Sequence, residues 1–241
     1  MRILIVNGTT HESSGYHAAH AAAEAFMKDG DTLDEMFCPI DGLHFCEYTE
    51  CGARCVGESE GLCPDAAAMA PVLERMDAAD VLVFTTPTYC YHVSSQLKVL
   101  LEHVCWRWMR HRPNPAWFKK QALVIATAAG AGAKKPAADI VDSLNWLGVG
   151  RVCVVQQSMG AMDWNLATES KQTSLLNAAR KAGGALVHDP TQVKPSIGVH
   201  GRFFLMRMLQ KKFPTGDADQ AFWIENGWLE GHGLPEATLK D

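Results

Sequence analysis

The chain has 241 residues, 47% of them apolar, and a formal net charge of −5. That length suits one α/β domain with elaborations, and the apolar share is ample for a sizeable core. The acidic balance argues against nucleic acid as a partner, and no apolar run approaches the length that spans a bilayer.

The start, Met1-Arg2-Ile3-Leu4-Ile5-Val6, reads as a strand rather than a signal peptide. The expected compartment is therefore the cytoplasm. There the eight cysteines are expected to be mostly reduced, so clustering among them suggests metal or redox chemistry before disulfides.

Arg2 to Asn7 is apolar throughout and predicts a first strand buried on both faces. It ends at Asn7-Gly8-Thr9-Thr10-His11-Glu12-Ser13-Ser14-Gly15-Tyr16-His17, and an alanine-rich helix then runs to about Lys28. A glycine- and hydroxyl-rich turn at a helix N-terminus gathers free N–H groups, the helix dipole and hydroxyls, which together make an anion site. The same residues serve equally as a plain capped turn. The pattern is neither G-x-G-x-x-G nor a Walker loop.

Asp29-Gly30-Asp31 breaks the helix, and Thr32 to Phe37 predicts a more polar strand at or near a sheet edge. A long irregular segment follows, from Cys38 to Pro64, with Cys46, Cys51, Cys55 and Cys63 spaced C-x4-C-x3-C-x7-C. Such a loop in a compact domain is usually functional. It fits zinc or an iron–sulfur cluster if it folds around one, yet it lacks the tight C-x2-C pairing of such sites, and ordinary thiols are the other reading. Glu47, Glu50, Glu58 and Glu60 would add charge to an already anionic thiolate site.

Ala66 to Asp77 carries apolar residues at helical spacing and delivers the chain to Val81-Leu82-Val83-Phe84, the expected central strand. Thr86 to His92 would then lie at its carboxyl end, where open α/β sheets bind ligands. Tyr89, Cys90, Tyr91 and His92 place flat aromatic surface, a thiol and an imidazole in four consecutive positions, suited to a flat ring.

A helical stripe of Val93, Leu97, Leu100, Leu101 and Val104 leads towards Trp106 and Trp108, both read as packing residues. Arg107 to Lys120, basic and proline-punctuated, is expected as an exposed connection. Gln121 to Thr127 is the fourth strand and runs into the small-residue loop 128–133, which permits close backbone approach. Pro136 suits the first turn of the next helix, which ends near Gly148. Val152 to Gln156 is the fifth strand, and Thr168 to Lys181 a helix closed by Gly183-Gly184. Strands alternating with helices in this way predict a five-stranded, doubly wound parallel sheet.

Beyond Asp189 the style changes. Val199 to Lys212 reads as a helix apolar nearly all round, so something must cover it: the domain, a second subunit or a membrane surface. One short helix makes the membrane the weakest of the three, even with Arg202, Arg207, Lys211 and Lys212 upon it.

Three motifs carry a resemblance over essentially the whole chain. Gly8-Thr9 through Ser13-Ser14-Gly15-Tyr16-His17, Thr86-Pro87-Thr88-Tyr89 through Ser95-Gln96-Leu97-Lys98, and Asp219 through Phe222-Trp223 to Gly227-Trp228 resemble the flavodoxin-like FMN proteins. The resemblance is specifically to the NAD(P)H-dependent FMN reductase and iron–sulfur flavoprotein branch. It implies strand order 2-1-3-4-5, a flavodoxin-like FMN-binding domain over 1–189, and a helical extension over 190–241 packing on the domain or on a neighbouring subunit.

It also implies site residues. Thr9, His11, Ser13, Gly15, Tyr16 and His17 would surround the FMN phosphate. Pro87, Thr88, Tyr89, Cys90 and Tyr91 would line the isoalloxazine, and Thr127, Ala128, Gly130 and Gly132 would approach its other edge. The family commonly has an arginine in the phosphate loop. Here His11 and His17 stand instead, and histidine charge fades above about pH 6.5, so FMN affinity is expected to depend on pH.

The implied activity is hydride transfer from NAD(P)H through FMN to a small acceptor such as a quinone, in a homo-oligomer, dimer or tetramer, with no membrane partner. Tyr89, Tyr91 and His92 are the candidates beside the ring, and His92 also reads as a loop histidine without catalytic duty. An iron–sulfur electron carrier with its cluster on Cys46, Cys51, Cys55 and Cys63, and a cofactor-less binding module, are the alternatives.

Overall fold

The computed structural model describes residues 1–46, 54–214, 216–231 and 233–235. Five parallel strands form one sheet in the order β2-β1-β3-β4-β5: β1 Arg2–Asn7, β2 Thr32–Phe37, β3 Val81–Pro87, β4 Gln121–Ala128 and β5 Arg151–Ser158. The helices are α1 Ser14–Phe26, α2 Ala66–Ala78, α3 Ser95–His103, α4 Lys134–Leu147, α5 Glu169–Gly184, α6 Ile197–Lys212 and α7 Asp217–Glu225. β2 lies at the edge, as its polarity predicts.

Strand parity assigns the two faces, because successive side chains point to opposite sides. Leu4, Val6, Leu82, Phe84 and Val124 meet α2, α3 and α4 through Met76, Leu97, Leu100, Ile140 and Leu144. Ile3, Ile5, Val81, Val83, Leu123 and Ile125 meet α1 and α5 through Ala18, Ala22, Leu175 and Ala179. The stripe on α3 is buried, as expected, and Trp106 packs with Cys55, Val56 and Cys105.

The alanines of α1 allow α5 to approach very closely. α5 runs on through Gly183 and Gly184 rather than stopping before them, because a Cβ on Gly183 would lie 2.1 Å from the Ala22 carbonyl oxygen. Gly183→Ala is therefore expected to destabilise the fold by about 1–3 kcal/mol. The check is a lower urea midpoint at unchanged slope.

The expectation of an exposed connection over Arg107 to Lys120 is overturned. His111, Arg112, Trp117, Phe118 and Lys120 are buried, because the basic groups are matched one by one. The Arg107 guanidinium meets both oxygens of Asp77 at 2.6 Å. Arg112 donates to Asp219 at 2.5 Å and to the carbonyls of Val56 and Cys55. Lys120 donates to the carbonyls of Asp77 and Ala79, and burial pushes its amine down to about 8.

This segment is the seat for the C-terminal helices. Met109 and Phe118 pack with Val199, Phe203, Met206, Trp223 and Trp228 in a third apolar cluster, Phe203 stacks on Trp223 at 5.0 Å, and the Trp223 indole donates to the His111 carbonyl at 2.6 Å. Among the described residues no helix is long and apolar enough to cross a membrane.

Candidate functional site

The loops after β1, β3 and β4 converge at the carboxyl ends of the strands, tied by backbone groups. Gly8 donates its N–H to the Thr85 carbonyl at 2.9 Å, and the Ser94 hydroxyl donates back to the Gly8 carbonyl at 2.7 Å. A Cβ on Gly8 would fall 2.6 Å from the Thr85 oxygen, so only glycine fits this approach. Ser94 also closes its own loop, its N–H reaching the Thr86 hydroxyl at 3.1 Å. Nothing in the sequence marks Ser94 for this, because a hydroxyl's long-range acceptor has no local signal.

In the first loop Ser13 caps α1, accepting from the Tyr16 N–H at 3.4 Å, and leaves the first-turn N–H groups of the helix pointing towards the loop. Thr9 is buried, its hydroxyl donating to the His11 carbonyl at 2.9 Å. Gly15 sits against Thr85, where a Cβ would touch at 3.0 Å, so its small size allows close helix–sheet packing. His11 is exposed, whereas His17 is half-buried and stacks on Trp164 at 4.5 Å. Burial lowers the His17 pKa against an opposing pull from Glu12. Burial, helped by Glu12 and Glu35, raises that of Tyr16.

The loop after β3 is anchored by Thr88, whose N–H and hydroxyl both donate to the Thr127 carbonyl, at 2.7 and 2.9 Å. Tyr89 and His92 then pair through reciprocal backbone bonds of 3.0 and 2.9 Å. The two residues between them, Cys90 and Tyr91, have φ of 50° and 66°. That is the conformation of a two-residue hairpin turn that normally calls for Asn-Gly. Two ordinary L residues held there store roughly 1–3 kcal/mol each, a cost commonly found at functional sites.

The strained turn throws Tyr91 outwards, 68% exposed, and leans its ring on the loop after β4. A Cβ on Gly132, whose φ is +99°, would meet Tyr91 Cδ1 at 2.7 Å, while Gly130 has open space around it. Pro87, Thr88, Tyr91, Thr127 and Gly132 are therefore brought together.

Cys90, Tyr89 and His92 line a different space, a cleft of about 840 Å³ between α3 and α4, with Val93, Trp108 and Asp139. His92 Nδ1 faces Asp139 at 3.5 Å. Burial pushes the Asp139 carboxyl up, but Lys135 and His92 outweigh it and hold the pKa below the ordinary value.

Cys46, Cys55 and Cys63 share a neighbouring 420 Å³ cavity with Glu60 and His103. Beside it His44 and His103 both reach Asp65, at 2.8 and 3.1 Å. Among the described residues no group of three or more His, Cys, Asp and Glu is placed to hold a metal ion. Cys51, with Glu47 and Glu50, lies outside the described residues.

The sequence profile of the family described as NADPH-dependent FMN reductase matches residues 1–163. No curated protein matches the chain significantly. Similar solved structures include an FMN-dependent NADH-azoreductase from Bacillus anthracis str. Ames Ancestor in complex with FMN. It is 15% identical with a TM-score of 0.57, covering 76% of this chain and 97% of that one. An NADH:FMN oxidoreductase in apo form is 18% identical with a TM-score of 0.54, covering 80% and 94%. An NAD(P)H:quinone oxidoreductase from Methanothermobacter marburgensis is 18% identical with a TM-score of 0.54, covering 78% and 98%. At such identities the likeness speaks to the fold.

Proposed function

The chain belongs to the NADPH-dependent FMN reductase family, and from that premise we propose that it is an FMN-dependent oxidoreductase passing hydride from NAD(P)H to a small acceptor such as a quinone. The observation that supports this most is the strained Tyr89–His92 turn resting on Gly132, at the same carboxyl edge of the sheet as the N-terminus of α1. It offers aromatic surface, close backbone approach and an anion-binding helix end at one place.

When bound, FMN supplies two-electron chemistry between a nicotinamide and the acceptor. The protein's part is to bind and orient. We assign Thr9, His11, Ser13, Gly15, Tyr16 and His17 to the phosphate, with the first-turn N–H groups of α1 donating to it. We assign Pro87, Thr88 and Tyr91 to one side of the ring, and Thr127, Ala128, Gly130 and Gly132 to its other edge, with Tyr89 and Cys90 facing the adjoining cleft instead. Thr88 fixes the span between these loops, and Tyr91 covers the ring from water. We further read residues 1–189 as the FMN domain, residues 190–241 as an extension of it, the assembly as a homo-oligomer and the compartment as the cytoplasm.

The first experiment is an absorption spectrum of anaerobically purified protein before and after adding FMN, followed by NADH and NADPH oxidation with quinones. Flavin bands with quinone-dependent turnover support the reading. A featureless spectrum unchanged by FMN sinks it, and a broad brown absorption bleached by dithionite moves it to the electron carrier.

Histidine in place of arginine carries a pH signature. Burial depresses the His17 pKa without ligand, and a phosphate dianion beside it restores its charge, so binding takes up a proton. Affinity for FMN is expected to weaken as pH rises from 6 to 8, by at most about tenfold per unit. Below pH 6 protonation of the phosphate itself opposes the trend. Fluorescence-quenching titrations across this range check it, and His17→Asn should flatten the slope.

A further inference from the structure

We infer that the cleft between α3 and α4 is a groove for the electron acceptor, and that it takes an uncharged, elongated molecule with an apolar tail. This rests on the flavin reading and gives it a substrate class.

The groove begins at the strained turn. Tyr89, Cys90 and His92 form its mouth, and Tyr91 of the same turn leans on Gly132. The turn is therefore a wall shared with the ring's proposed bed. From there Ser95, Lys98 and Glu102 continue along one face of α3, and Cys105 and Trp108 carry that wall past its end. At 1.5 Å per residue the helical part, Ser95 to Glu102, runs about 10 Å. Asp139 and Ser143, one turn apart on α4, line the opposite side.

Polarity changes along this length. At the mouth His92 faces Asp139 at 3.5 Å. At the far end stand Leu101, Trp108 and Cys105, whose thiol behaves as a small hydrophobe. A volume of about 840 Å³ lies high in the range of small-molecule pockets. A bare quinone ring would leave most of it to water, whereas a ring held at the turn with an apolar tail behind it follows the groove.

Charge decides what the groove refuses. Each basic side chain lining it already faces an acid: Lys98 meets Glu102 at 2.5 Å, His92 faces Asp139, and His111 meets the buried Asp219 at 2.7 Å. Lys135, from the same helix as Asp139, also pairs with that carboxylate. Asp142 adds an exposed negative charge. An anion entering here loses its water and gains no counter-charge. NADH and NADPH carry a pyrophosphate, so the groove does not suit the donor. An uncharged acceptor meets no such penalty.

The test is steady-state turnover of the FMN-loaded chain, with stopped-flow reduction of the flavin by NADH or NADPH alone. A dimethoxy-methyl-benzoquinone is compared with the same ring bearing one isoprenyl unit. The tailed quinone is expected to show a KM lower by about tenfold or more, from the apolar area it removes from water. Ser143→Trp, which fills the groove midway, should remove most of that advantage. As inhibitors of this turnover, neutral hydroxymethyl-anthraquinone should bind about tenfold or more tightly than anthraquinone sulfonate. Glu102→Gln releases Lys98 from its partner and should narrow that gap by about fivefold.

Equal KM values for the two benzoquinones overturn the proposal, as does a tail advantage that survives Ser143→Trp. A sulfonate that binds the parent as tightly as its neutral analogue, or a gap that Glu102→Gln leaves unchanged, also overturns it. Any of these results with normal flavin bands and normal flavin reduction leaves the functional reading standing. Protein without flavin bands, or with flavin that neither nicotinamide reduces, overturns both.

Discussion

Asp219→Asn is expected to cost about 3–5 kcal/mol of folding stability. The Asp219 side chain is fully buried and meets the Arg112 guanidinium at 2.5 Å and His111 Nδ1 at 2.7 Å. Arg112, itself buried, also donates to the carbonyls of Val56 and Cys55 and to Glu60 at 3.3 Å. Neutralising Asp219 leaves a buried guanidinium with only the partly exposed Glu60 carboxylate as counter-charge, which is the expensive way to break such a pair. Replacing both partners, Arg112→Met with Asp219→Leu, should cost distinctly less, because no charge is then stranded.

The readout is thermal unfolding. For a chain of this size 1 kcal/mol moves the midpoint by about 2–4 °C, so the single variant should fall by roughly 6–20 °C. A fall of less than 2 °C would mean that the apolar cluster around Trp223 holds α7 without the ion pair.

The second large effect is expected at the loop after β4. Gly132→Ala should weaken FMN binding by at least tenfold, about 1.4 kcal/mol, while Gly130→Ala changes it less than twofold. The two glycines are two residues apart and differ in one physical respect. Gly132 has φ +99° and the Tyr91 ring where a Cβ would go, whereas Gly130 has neither constraint. An alanine at 132 must leave its backbone well or push Tyr91 off its seat, disturbing the aromatic side of the proposed site. FMN titration by fluorescence quenching measures both. Equal effects at 130 and 132 would show that Tyr91 does not shape the pocket.

Much of the scaffold was legible locally. Strands buried on both faces, such as those with Val81 to Phe84 and Ala122 to Ala126, are continuous apolar runs and announce themselves. The alternation of strands and helices then leaves few topologies. The aromatic, thiol and imidazole run at Tyr89 to His92 was visible because its composition is odd for a turn. What it does there was not, since the left-handed conformation of Cys90 and Tyr91 goes with contacts between Thr88 and Thr127, 39 residues apart, and between Tyr91 and Gly132, 41 residues apart.

The segment from Arg107 to Lys120 shows where local reading fails. Its charge and prolines describe a solvent-exposed strap, but its buried cations Arg112 and Lys120 have partners far along the chain, and charge predicts exposure only when no such partner exists. The stop expected at Gly183 failed for a related reason, since the glycine is required by Ala22 on another helix.

Sequence by itself determined the strands, the helices and the three loops after strands one, three and four, because periodicity, breakers and capping residues act over a few positions, while the strand order followed from the family resemblance. Tertiary structure alone decided which charges are buried, which face of α6 stays open, and which glycines are irreplaceable. Those depend on atoms brought together from distant parts of the chain, and no local pattern records them.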